Sequence, residues 1–72
     1  MSEGKTIAVQ VNGAAREVPA ELTVRDLVEM LGFEQELVAV VVNQELVPRA
    51  EHAGRSVRCG DRIEIVEFVG GG

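Results

Sequence analysis

The residues with the most pointed chemistry stand at the end of the chain, where Val69 runs into Gly70-Gly71-Gly72. A terminal α-carboxylate, with a reference pKa of about 3.5, is ionised at neutral pH. Three extended residues reach about 10 Å, and glycine, which lacks a Cβ, threads a narrow tunnel in any backbone conformation. A carboxylate on such an arm can attack the α-phosphate of ATP and give an acyl-adenylate open to a sulfur nucleophile. Short glycine runs are also common as frayed ends. What singles this one out is the continuous apolar strand pattern that leads directly into it.

Four other positions carry reactive or recognising groups. Cys59 is the single thiol, and Arg58 and Arg62 beside it favour the thiolate; the simpler reading is a turn cysteine without a role. His52, the single histidine, has no evident partner in the sequence and is expected at the surface. Arg49, held behind Pro48, can dock a carboxylate of a partner protein through its planar fork or pair within the chain. The alternation of Asp61, Arg62 and Glu64 reads as a solvated strand face.

Composition removes whole classes of function. Seventy-two residues build one small core with little room for an enclosed catalytic pocket, so the chain is not expected to be an enzyme. Twelve acidic against seven basic side chains leave a net charge of −5. A phosphate-backbone binder needs a clustered basic surface, and base stacking needs exposed aromatics, whereas Phe33 and Phe68 are the only two here. One cysteine and one histidine build neither a disulfide nor a four-ligand zinc site. The residues after Met1 lack the apolar stretch of a signal peptide, and Leu37 to Val42 is too short to span a bilayer. The expectation is a cytoplasmic protein that binds neither nucleic acid nor membrane.

The elements that must position the terminus follow from pattern. Ile7, Val9 and Val11 alternate on one face of a strand. Asn12-Gly13 supplies the positive φ angles of a tight hairpin, and a second strand runs from Ala14 to Val18, stopping at Pro19. A strict two-residue turn sets Arg16 opposite Val9 on the apolar side, so a bulge is expected to shift the register. Thr23 and Asp26 form a capping-box pattern, with Leu22 poised to staple onto Leu27. Val24, Leu27, Val28 and Leu31 then make one helical stripe, which Gly32 ends while Phe33 folds back onto Val28. Leu37 to Val42 reads as a buried strand, Asn43-Gln44-Glu45 as a turn, and Leu46-Val47 as an edge strand closed by Pro48. Ala50 to Gly54 is irregular or one helical turn. A last strand from Arg62 to Val69 puts Ile63 and Ile65 on one face and Val66 and Phe68 on the other, with the core ending at Phe68 and Val69. Hairpin, helix, strand, edge strand and strand make an α+β roll: one main helix across a mixed sheet of four to five strands, the first and last strands central neighbours.

These pieces together resemble the ThiS family of ubiquitin-like sulfur carriers. The resemblance rests on Val11-Asn12-Gly13, on Thr23-Val24 with Leu27, and on Val42-Asn43 followed by Val47-Pro48-Arg49. Gly60-Asp61-Arg62-Ile63-Glu64-Ile65 and Val69-Gly70-Gly71-Gly72 complete it. It implies a β-grasp domain over 1–69 with a flexible glycine tail over 70–72. It further implies that an E1-like adenylyltransferase, using ATP and Mg, activates the Gly72 carboxylate for conversion to a thiocarboxylate, with Gly70 and Gly71 threading the partner's active site. The sulfur then passes to thiazole synthase in thiamine biosynthesis, after supply by a donor such as a cysteine desulfurase. Arg49 and Phe68 are the expected partner contacts; no cofactor or metal is bound by the carrier itself. Family members often carry an aromatic residue where His52 stands and an Asp where Cys59 stands.

Other destinations for the same terminus are a carrier serving molybdopterin, cysteine or thiolated-tRNA synthesis, and a ubiquitin-like modifier joined to lysines. A third reading is a passive interaction domain, in which deleting Gly71 and Gly72 leaves function intact.

Overall fold

The computed structural model describes residues 4–68. The five strands are β1 (Thr6–Val11), β2 (Ala14–Pro19), β3 (Val38–Val42), β4 (Glu45–Val47) and β5 (Arg62–Glu67), and the single α-helix is α1 (Val24–Met30). They form one mixed sheet in the order β2-β1-β5-β3-β4. Only the β1–β5 pair is parallel; the others are antiparallel. The last strand therefore lies at the centre, with its C-terminal end leading toward the glycine tail.

The helix forms where its signals stand. Thr23 accepts from the Asp26 backbone N–H at 3.1 Å, and Asp26 accepts from the Thr23 N–H at 3.2 Å. Leu22 and Leu27 are both buried, completing the staple across the helix start. At the other end Gly32 adopts φ +86°. The Gly32 and Phe33 amides donate to the Glu29 and Val28 carbonyls at 3.0 and 3.1 Å, the paired bonds of a Schellman ending. The stripe of α1 packs on alternate residues of the sheet, including Val9, Val40, Val42, Ile63 and Ile65. Leu31 and Phe33 are partly buried against that core.

Four expectations need correction. The first hairpin keeps the strict register, Val11 opposite Ala14 and Val9 opposite Arg16, with no bulge. It tolerates Arg16 because β2 is an edge strand beyond the helix, and of its six residues only Val18 is buried. Among the described residues the core ends at Ile65 and does not include Phe68, which is 55% exposed because the outer sheet face has no covering layer; Val69 lies outside the described residues. Asp61 is buried rather than part of a solvated face. His52 is buried as well, within a 3-10 helix spanning Arg49–Gly54. No helix among the described residues is long and apolar enough to cross a membrane.

Candidate functional site

The candidate site is the C-terminal end of β5 and the surfaces on either side of it. Two asparagines hold β5 from opposite flanks. Each is the first residue of a hairpin turn whose two central residues both have positive φ: Asn12 and Gly13 at 52° and 86°, Asn43 and Gln44 at 52° and 71°. Such turns match strand twist, and asparagine is among the few residues that adopt this conformation readily.

The geometry frees each asparagine side chain to act on β5. Beyond the end of β1, Asn12 Oδ1 accepts from the Ile65 N–H at 2.8 Å and its Nδ2 donates to the Ile65 carbonyl at 3.3 Å. The carboxamide thus replaces one more strand residue. On the other flank, Asn43 Oδ1 accepts from the Arg62 N–H at 2.9 Å, and its Nδ2 donates to Asp61 Oδ1 at 3.0 Å. Asp61 Oδ2 accepts from the Arg58 amide at 2.8 Å, so the buried carboxylate fixes the turn entering β5. Sequence reasoning saw turn residues at 12 and 43 and missed the clasps, since the partners lie 53 and 18 to 19 residues away.

The last bond along the strand runs from the Phe68 N–H to the Leu37 carbonyl, 2.7 Å. Beside that point the outer sheet face carries a run of uncovered apolar side chains. Leu46, Val66 and Phe68 are each more than half exposed, and Leu37 is 41% exposed. Register joins them: Val41 pairs with Leu46, and Ala39 with Val66. Glu64, opposite Val41, puts an acidic group among them. Phe68 and Val66 stand on the predicted outer face; Leu46 joins them through the pairing of β3 with β4.

The other singled-out residues separate. Gly70, Gly71 and Gly72, with Val69, lie outside the described residues. Arg49 is exposed, at the start of the 3-10 helix that follows β4. Cys59 is exposed in the turn before β5, at the end opposite Phe68. The six residues of β5, about 17 Å of strand, separate it from Phe68.

His52 is 1% exposed, and both ring nitrogens are engaged. Nε2 donates to the Val47 carbonyl at 3.1 Å, and Nδ1 lies 3.0 Å from Gln35 Oε1. Gln35 in turn donates from Nε2 to the Arg25 carbonyl at 3.0 Å. Burying an imidazole requires partners for its polar atoms; Gln35, 17 residues distant, left no sign in the sequence. The ring ties the 3-10 helix to β4 and to the segment after α1. It is a structural group, with no open nitrogen for proton shuttling. No group of three or more metal-ligating side chains occurs among the described residues.

Known proteins resemble this chain in sequence and fold. The model of the ThiS family matches residues 9–72. The sulfur carrier protein ThiS of Escherichia coli is 36% identical over 61 residues, which are 85% of this chain and 92% of that protein. A thiazole synthase of Paramagnetospirillum magneticum is 44% identical over 62 residues, 86% of this chain; the chain spans only 19% of that protein's length. The crystal structure of the thiamine biosynthesis protein ThiS from Geobacter metallireducens superposes with a TM-score of 0.79 at 33% identity, covering 92% of this chain and all of that one.

Proposed function

The chain belongs to the ThiS family, and on that footing we propose that it is a sulfur carrier of thiamine biosynthesis whose working group is the Gly72 carboxylate. It is a protein cosubstrate and not a catalyst. An E1-like adenylyltransferase binds it together with Mg-ATP. A carboxylate oxygen attacks the α-phosphorus and pyrophosphate leaves. The persulfide of a donor such as a cysteine desulfurase then displaces AMP to give an acyl disulfide, and a second thiol attacks the donor-side sulfur, forming a disulfide and releasing the terminal thiocarboxylate. Thiazole synthase consumes that sulfur.

The observation that carries the reading is the treatment of β5. The strand is central, clasped on both flanks, and bonded as far as Phe68, and the sequence beyond it is one valine and three glycines. A group delivered into another protein's active site has to start from a fixed root, because reaction rate falls steeply with misplacement. The apolar run of Leu46, Val66 and Phe68 gives the enzymes a surface beside that root, of the kind that marks partner sites. Thiazole synthases that contain a region similar to this chain support the thiazole destination.

ATP–pyrophosphate exchange with the cognate activating enzyme tests the proposal. The parent protein supports exchange. Adding one alanine after Gly72 moves the carboxylate by about 3.5 Å and puts a Cβ where a bare backbone must enter. That variant keeps its fold by circular dichroism and loses exchange. Equal exchange by both proteins, without trimming of the added residue, contradicts the proposal.

A further inference from the structure

The side of the tail root facing away from the apolar run has a different character. β4 runs antiparallel to β3, so the chain leaving it at Val47 heads toward the end of the sheet where Val38 pairs with Glu67. Pro48 and Arg49 therefore arrive beside the exit of β5, on the helix side. There Arg25, Gln35, Arg49 and His52 line a hollow of about 290 Å³, kept open by the small side chains of Ala50 and Ala53. The polar floor is spent: His52 and Gln35 bond each other, and Gln35 also bonds the Arg25 carbonyl. What the hollow offers is two guanidinium groups. Arg49 makes no ion pair among the described residues, and Arg25 touches Glu29 only through Nε, at 3.4 Å with both side chains more than half exposed.

Building on the carrier reading above, we propose that this hollow receives a carboxylate side chain of the activating enzyme. Guanidinium forks match carboxylates in planar, two-point geometry, and the chain's own acids leave Arg49 unclaimed among the described residues. The site also solves a problem of orientation. A single apolar patch fixes the distance between two proteins but permits rotation about the tail. The arginine pair on the helix face adds a second, charged contact away from that patch. An enzyme apolar over the patch and acidic over the hollow meets the carrier in one rotation. Rim charges of this sort govern encounter rate and register more than final affinity. An acidic protein with net charge −5 that needs an acidic contact on its partner is the distinguishing claim.

The test is pyrophosphate exchange by the cognate activating enzyme with the full chain, comparing the parent with Arg49→Met, Arg49→Lys and the double variant Arg25→Met/Arg49→Met. Methionine keeps much of the apolar stem and removes the charge; lysine keeps the charge and removes the fork. The double variant is expected to raise KM for the carrier about tenfold at low salt, with kcat changed less than about twofold. Arg49→Met takes about half of that on a logarithmic scale, and Arg49→Lys falls between it and the parent. Raising the salt from about 50 to about 500 mM should shrink the difference, since it rests on exposed charge. Thermal melting checks that all variants are folded. A double variant with the parent's KM at low salt, while the parent is activated normally, overturns this inference and leaves the carrier reading standing. A parent that is not activated at all overturns the carrier reading and this inference with it.

Discussion

The two ends of β5 are built on opposite terms. At its start the chain is held by a buried carboxylate, a turn glycine with φ +88° and bonds to both neighbouring hairpins. The Gly60 amide donates to the Ala8 carbonyl at 2.8 Å, the Gln10 amide to the Asp61 carbonyl at 2.9 Å, and the Asn43 amide to the Arg62 carbonyl at 2.8 Å. At its finish β1 has already turned away, the Asn12 carboxamide stands in for it at Ile65, and a single backbone bond joins Phe68 to Leu37. Val66 and Phe68 there face outward. One end stabilises the domain; the other presents it. Separating the two jobs lets the root of the tail be exposed for partners without weakening the core.

That division predicts which substitutions hurt stability and which hurt activation. Phe68→Asp should have the largest effect, raising KM in pyrophosphate exchange by about 30-fold, as expected for an anchor residue at an interface. Its melting temperature should move by no more than about 5 °C, since Phe68 is more than half exposed and such positions contribute little to stability. Asp61→Ala is the mirror image. It leaves the Arg58 amide and the Asn43 side chain without their acceptor and should cost about 2 kcal/mol, or roughly 10 °C in melting temperature. Activation well below its melting temperature should match the parent. If Asp61→Ala impairs activation at full foldedness, the two ends are coupled and the division fails.

Cys59→Ser sharpens the same comparison with the smallest effect. The thiol sits at the stabilising end, exposed, with the length of β5 between it and Phe68. Neither melting temperature nor thiocarboxylate yield should change measurably. Loss of thiocarboxylate with an intact fold would give the cysteine a part in sulfur transfer.

How much of this was legible in the sequence depends on the range of the interaction. The helix of Val24–Met30 was readable down to its caps, because capping boxes and Schellman endings are written within a few residues. Both hairpin turns were readable for the same reason. The centrality of β5 followed from its apolar content. The neighbouring of the first and last strands was readable too, but non-local side-chain pairing was not. Asn12 reaching Ile65, Asp61 meeting Asn43, and His52 meeting Gln35 all join residues far apart in the chain. Their residue types, polar and in turns, suggested solvent. His52 shows the cost of that habit: a polar residue is buried without difficulty when both of its nitrogens find partners. The strict register of the first hairpin had a similar cause, since nothing local says that the helix stops short of Arg16.

The terminal carboxylate is the proposed sulfur-bearing group, and intact mass measurement tests it most directly. The protein is incubated with its activating enzyme, Mg-ATP and a sulfur donor, then weighed whole and as C-terminal fragments. The predicted result is a gain of about 16 Da, the replacement of one oxygen by sulfur, confined to the fragment ending in Gly72 and absent when ATP is withheld. An unchanged terminal fragment under conditions that support pyrophosphate exchange, or a sulfur gain located on Cys59, would contradict it.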